Sequence, residues 1–268
     1  MKDLQSDLEL IVEAAREAGA LALSERAKGL TIRSKVGGSP VTQADLAVDD
    51  LLKTRLLGAR PDHGWLSEET ADGPERLTRR RIFVVDPIDG TVAYMKDRPW
   101  WCVPIAIVED GRPIAAVVHA PALDETFTAT AGGGAFLNGR PILASDTADL
   151  DDAAVLGDGR MFADVSLWPE PWPAMRWEKR NALAYRLALV AAGAFDAAIA
   201  PSPKWDWDVA AGALIAQEAG ARVSDHHGRP WTFNRADPRQ AGLVCAAPAL
   251  WPLIVGRTRS IPLPADLP

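Results

Sequence analysis

The sequence predicts a mixed α+β fold, and three observations carry the prediction. Apolar residues recur at helical spacing toward the N-terminus, apolar runs of strand length follow one another through the middle, and helix and strand patterns alternate in the final third. With 268 residues and 48% hydrophobic content the chain can fill a sizeable core.

Leu8, Ile11, Val12, Ala15, Ala18 and Ala22 share one helical face, so residues 4–25 read as an amphipathic first helix. A second helix runs from Thr42 through LAVDDLLKTRLL and is stopped by Gly58 and Pro61. RIFVVD is a continuous apolar run that reads as a buried strand ending at Asp86. WCVPIAIVEDGRPIAAVVHAP follows as two strands joined by an Asp-Gly turn, and ETFTATAGGGAFLNGRPI as further hairpin. Its AGGGAF lacks the strand-to-helix context of a nucleotide fingerprint and reads as a turn. Over 157–180 the pattern lapses into a Pro- and Trp-bearing segment, either a loop or a connection between halves. Beyond it ALAYRLALVAAG reads as helix, FDAAIA as strand, DVAAGALIAQEAG as helix with a glycine stop, and ARVSD as strand. The paired His226 and His227 in the turn that follows read as polar surface.

A net charge of -7 argues against a nucleic-acid surface, which needs clustered Lys and Arg. Cys102 and Cys245 are too few for a disulfide framework and lack zinc-site spacing, which suits a reducing cytoplasm. The acidic, amphipathic start is no signal peptide, and no apolar run approaches a membrane span.

Four segments present acids at the ends of expected elements: Asp45 in SPVTQAD, Glu68 and Glu69 in LSEET, Asp86 and Asp89 in DPIDGT, and Asp208 in WDWDVAAG. Carboxylates drawn from separate segments around an open pocket suit magnesium, a hard cation that takes oxygen ligands and keeps several waters. Two such ions roughly 3.5–4 Å apart could share Asp86 and activate water against a phosphoryl group. Gly90 and Thr91, if they open a helix, would aim backbone N–H groups at the phosphate. Each acid also has a plainer reading: Asp45 as the third residue of a capping box from Thr42, Asp208 as a helix cap, Asp89-Gly90 as a turn, and Glu68 and Glu69 as a solvated turn. Their combination is what favours a site.

Glu-Glu, then DPIDGT, then WDVAAG, with Lys35, SPVTQAD and GGGAFLNG in support, resembles the inositol monophosphatase superfamily from the first helix to about residue 247. The resemblance implies a layered αβαβα sandwich acting as one phosphatase unit over 1–268. An α+β half, 1–150, carries most metal motifs, and a C-terminal α/β half, 151–268, completes the site. It further implies Mg2+, two or three ions per site, lithium sensitivity, and often a homodimer. Glu68, Asp86 and the Ile88 carbonyl would hold the first metal, and Asp86, Asp89 and Asp208 the second. Thr91 with Asp45 would orient the water activated at the first metal, beside Glu68. Gly90 and Thr91 amides would bind the phosphate, with Asp89 and Asp208 beside the substrate.

The substrate is then a small phosphorylated metabolite: inositol monophosphate or 3'-phosphoadenosine 5'-phosphate, with another sugar phosphate or histidinol phosphate as the alternative. The chain departs from the inositol phosphatase pattern at Asn181 and Ala182, in place of Gly-Ser or Gly-Thr, and at Pro201, in place of a Glu. PVTQAD and PALDETF are similar to phosphoadenosine-phosphate phosphatases. Trp168, Trp172 and Trp177 offer rings for a base, and Arg176, Lys179 and Arg180 offer charge for a second phosphate; local packing of the tryptophans is the plainer alternative. Among rivals, a haloacid-dehalogenase-type phosphatase would show D-x-D where this chain has D-x-x-D, and an α/β-hydrolase would need an absent G-x-S-x-G elbow. A catalytically silent sugar-phosphate-binding or regulatory protein is disfavoured because every metal position keeps its carboxylate.

Overall fold

A computed structural model describes residues 2–35 and 38–267. Helices α1 (Lys2–Ala27) and α2 (Gln43–Ala59) come first, and a short ribbon of Ile32–Ser34 with Pro40–Thr42 lies between them. A seven-stranded sheet follows, with β1 (Gly64–Ser67), β2 (Arg81–Val85), β3 (Val103–Glu109), β4 (Arg112–Ala120), β5 (Glu125–Thr130), β6 (Gly134–Leu137) and β7 (Arg140–Pro141) in sequential order. The β1–β2 pair is parallel and the remaining pairs are antiparallel. Helix α3 (Thr91–Met95) interrupts the passage from β2 to β3.

The second half forms a five-stranded sheet of β8 (Ala154–Leu156), β9 (Arg176–Glu178), β10 (Ala197–Ala200), β11 (Arg222–Ser224) and β12 (Leu243–Ala246), in the order β9-β8-β10-β12-β11. Its helices are α4 (Gly159–Ala163), α5 (Leu183–Ala191), α6 (Asp206–Glu218) and α7 (Leu250–Thr258). The segment 157–180 is therefore not simply irregular. It contributes α4 and an edge strand that pairs in parallel with β8.

Alternation along β2 builds the layers, because successive side chains of a strand leave opposite faces. Phe83 and Val85 pack with Ile11, Ala15, Val48 and Leu52 of α1 and α2. Ile82 and Val84 pack on the other side with Leu187, Val209 and Leu214 of α5 and α6, and with Leu243 and Cys245 of the second sheet. Beyond that sheet, Ile199 and Val244 pack with Phe162, Leu250 and Ile254 of α4 and α7. The result is the expected α, β, α, β, α layering. Gly212 makes the middle layer thin enough, since a Cβ there would sit 2.7 Å from Leu187 Cβ and 3.0 Å from the Ala184 carbonyl oxygen.

His226 departs from expectation. It is fully buried, because the turn after β11 tucks under the end of α7, where Thr258 donates to the His226 carbonyl and the His226 ring meets the Ile261 carbonyl at 3.1 Å.

Candidate active site

Strand register places the first acids. Ser67 ends β1 opposite Val85, which ends β2, and the Glu68 N–H continues the ladder to the Val85 carbonyl at 3.3 Å, so Glu68 emerges beside Asp86. Pro87 then ends the ladder, and the Asp86 carboxylate turns back to accept the Ile88 N–H at 3.0 Å. Asp89 and Cys102 exchange both backbone hydrogen bonds, at 2.9 and 3.0 Å, which fixes the loop against the start of β3. Gly90 takes φ of 90° to open α3 and lies against Ala182, a left-handed position where glycine is the residue at ease.

Asp45 serves two purposes with two oxygens. Oδ2 accepts the Thr42 N–H at 2.8 Å and the Thr42 hydroxyl at 2.6 Å, completing the capping box of α2. Oδ1 lies 3.4 Å from Thr91 Oγ1, which is 3.2 Å from the Ile88 carbonyl oxygen. The capping role expected of this residue is realised, and its second oxygen is left facing Thr91.

The WDWD stretch separates as cleanly. Asp208, third residue of α6, accepts the Trp205 N–H at 2.9 Å and borders a cavity it shares with Asp89. Asp206 is fully buried on another side, accepting from Gln240 Nε2 at 2.7 Å and from the Asn234 N–H at 2.9 Å. Asp89 is held from the second half of the chain, by the N–H groups of Leu183 at 3.0 Å and Ala184 at 2.6 Å. Lys35 Nζ bridges Glu68 Oε1 at 2.6 Å and Glu69 Oε1 at 2.5 Å.

These acids repel. Burial, and after it the charges of Glu68 and Asp89, holds the Asp86 carboxyl well above the carboxylate range. Burial followed by the Asp89 charge pushes Asp208 up to about 7, and burial pushes Glu69 to about 7 against the pull of Lys35. Among the described residues no three His, Cys, Asp or Glu side chains already stand gathered as an ion-holding group, because the acids are turned toward protein donors. The donor set nonetheless fits a hard divalent cation. It is all oxygen, it carries unbalanced negative charge, and at Glu68 and Glu69 it already accommodates the ammonium of Lys35.

The inositol monophosphatase family model matches residues 3–262 of the chain. The chain belongs to the inositol monophosphatase family. Members of this family are metal-dependent hydrolases of phosphate monoesters, and this chain is accordingly a phosphatase. The chain is 34% identical to inositol monophosphatase 2 of Solanum lycopersicum, covering 84% of this chain and 89% of the relative. It is 36% identical to a histidinol-phosphatase of Mycobacterium tuberculosis, covering 78% and 86%. Its fold superposes on the crystal structure of the extragenic suppressor protein suhB from Bartonella henselae with a TM-score of 0.80 at 28% identity, covering 95% of this chain and 98% of that one.

Within this family member, a cavity of about 570 Å³ opens beside Asp89 and Asp208, and the departures at Asn181 and Pro201 both line it. Two further lining residues, Arg186 and Lys204, escaped the sequence reading. A signal existed for Arg186, a lone charge inside the otherwise apolar ALAYRLALVAAG. The tryptophans do not offer a base platform as a group. Trp168 is buried edge-on against Trp172, which packs edge-on against Phe162, while Trp177 stays half exposed. Of the basic trio only Lys179 lines the cavity, since Arg180 lies over the rings of Trp100 and Phe195 and Arg176 is exposed in β9.

Proposed function

We propose that this chain hydrolyses a small phosphate monoester by direct attack of water, using magnesium held by Glu68, Asp86, Asp89, Asp208 and the Ile88 carbonyl oxygen. The observation that carries the reading is the convergence of acids from four sequence segments at one end of the seven-stranded sheet, beside a cavity of ligand size. Glu68, Asp86 and the Ile88 carbonyl would form one ligand set, and Asp86, Asp89 and Asp208 the other. When bound, the ions polarise the phosphoryl group, acidify water and offset charge on the leaving oxygen.

The chain's own groups supply the rest. The Thr91 hydroxyl stands between Asp45 Oδ1 and the Ile88 carbonyl, a position from which it orients a water and relays its proton toward Asp45. Burial raises the Asp45 carboxyl, which makes that oxygen a readier proton acceptor. The Gly90 and Thr91 N–H groups bind the phosphate. Asp86 accepts one backbone N–H and Asp89 accepts two, which holds them in place and favours roles as fixed ligands over an aspartyl nucleophile. Candidate substrates are inositol monophosphate and 3'-phosphoadenosine 5'-phosphate; a bisphosphate nucleotidase of Aggregatibacter actinomycetemcomitans is 30% identical over 86% of this chain and 88% of its own.

Phosphate release should require magnesium, cease in chelator and be inhibited by lithium. Full turnover in excess chelator would overturn the reading.

A further inference from the structure

Two cations in the cavity wall lack the carboxylate partners that several other buried or half-buried cations in the molecule have. Arg60 is paired with Asp7 at 2.8 Å, Arg76 with Asp72 at 2.7 Å and Arg81 with Glu109 at 2.7 Å. Arg186 has no carboxylate within ion-pair distance among the described residues, and its guanidinium donates to the Arg180 carbonyl. Lys204 is likewise without one, donating to Ser202 Oγ at 2.7 Å and to the Pro203 carbonyl at 3.2 Å. The counter-charges that reach them, Asp89 and Asp158 for Arg186 and Asp208 for Lys204, stay beyond ion-pair distance. A cation withdrawn from water without a contacting counter-charge is costly, so its retention beside a cavity points to an anion that enters.

Position relates both cations to the phosphate end of the site. Arg186 stands one helical turn beyond Leu183, whose N–H holds Asp89, so it lies on the same face of α5 about 5 Å farther along. Lys204 stands just ahead of α6, whose first turn carries Asp208. On the rim, Lys179 pairs with Asp158 at 2.6 Å and Arg160 approaches the same acid at 3.5 Å, so one acid faces two cations there as well. Asn181 and Pro201 add to the lining without a negative charge, and Pro201 has no side-chain acceptor for a polyol hydroxyl.

We propose that the alcohol side of this cavity takes an anionic group, so that the substrate is a phosphate monoester whose leaving alcohol bears a second phosphate or a carboxylate, met by Arg186 and Lys204. This rests on the hydrolase reading above. Neutral polyol monophosphates and those carrying an amine are then poorer substrates than doubly anionic ones.

Matched pairs test it. With magnesium, kcat/KM is measured for adenosine 3',5'-bisphosphate against adenosine 3'-monophosphate, and for 3-phosphoglycerate against glycerol 3-phosphate. The first pair reads a second phosphate and the second a carboxylate. One pair or both should favour the doubly charged member by about 10- to 100-fold, the scale of one or two charged hydrogen bonds. In Lys204→Gln and in Arg186→Gln that ratio should fall toward one, with folding verified by melting temperature. Ratios near one for both pairs in the wild type overturn the proposal, as does an unchanged ratio in both folded variants. Hydrolysis of p-nitrophenyl phosphate separates the two layers: turnover without a preference sinks this proposal alone, whereas no turnover of any ester sinks the hydrolase reading. In that second case calorimetric titration of the same nucleotides decides, with tighter binding of the bisphosphate, weakened in both variants, expected and equal affinity fatal.

Discussion

Asp206 and Asp208 lie two residues apart in the first turn of α6 and meet different surroundings, so identical chemistry at the two positions should have opposite effects. Asp208→Asn keeps the oxygen that accepts the Trp205 N–H but removes the charge beside the cavity. Its kcat should drop on the order of 100-fold, about 2.7 kcal/mol, with the melting temperature nearly unchanged. Asp206→Asn turns an amide N–H2 toward one of two donors, Gln240 Nε2 and the Asn234 N–H. An unsatisfied buried donor costs about 1–3 kcal/mol of stability, while kcat at a temperature where the variant is folded should stay close to the wild type. Denaturant unfolding and kcat at saturating magnesium, measured on both variants, check the pair; a dead Asp206→Asn with an active Asp208→Asn would shift the functional register by two residues.

At the scale of elements, α5 and α6 are the supports that bring the second half's groups to the acids, and their close approach depends on Gly212. Gly212→Val would drive branched carbons into Leu187 and the Ala184 carbonyl, with an overpacking cost of about 1–3 kcal/mol. Because α5 also supplies the amides that hold Asp89, the variant should lose activity at temperatures below its unfolding transition; unchanged kcat and midpoint would refute the coupling. Elements of this kind were legible in the sequence wherever one face is apolar at a fixed period. That holds for α1 through Ile11, Ala15, Ala18 and Ala22, for β2 as an unbroken apolar run, and for the acids that stand where such runs stop. What escaped was set by partners distant in the chain. Arg176–Glu178 is a strand only because β8 lies alongside it, His226 is buried only because α7 closes over it, and nothing near Lys204 in sequence tells that it faces Asp89's cavity.

The whole molecule should register its acids through pH. Burial raises Asp89, Asp208 and Glu69 to about 7, so between the ordinary carboxylate range and pH 7 the folded chain binds more protons than the unfolded one. In chelator these groups therefore make stability fall as pH rises through that window. Burial lowers His63, His119 and His226, and these work the other way just below pH 6.5, but equally with or without the ion. If magnesium is held by the ionised carboxylates of the folded chain, as proposed, the gain in melting temperature on adding it should widen as pH rises from about 6 to about 8. A gain that is constant across that range, or zero, would disprove a cation site built from these acids.

The grip of the Leu183 and Ala184 amides on Asp89 joins positions 94 and 95 residues apart, and that separation has a meaning in time. A ribosome delivers Asp86 and Asp89 long before α5, and α5 before Asp208, so the acids are neighbours before the groups that steady them exist. Until α6 arrives, the Ile82 and Val84 face of the seven-stranded sheet also lacks its cover. A nascent chain paused near residue 150 thus combines an apolar sheet face with crowded, unsteadied carboxylates. With the acids acting as the proposed cation site, that is the stage of synthesis at which chaperone capacity and free divalent cation in the surrounding fluid should weigh most on the yield of folded protein.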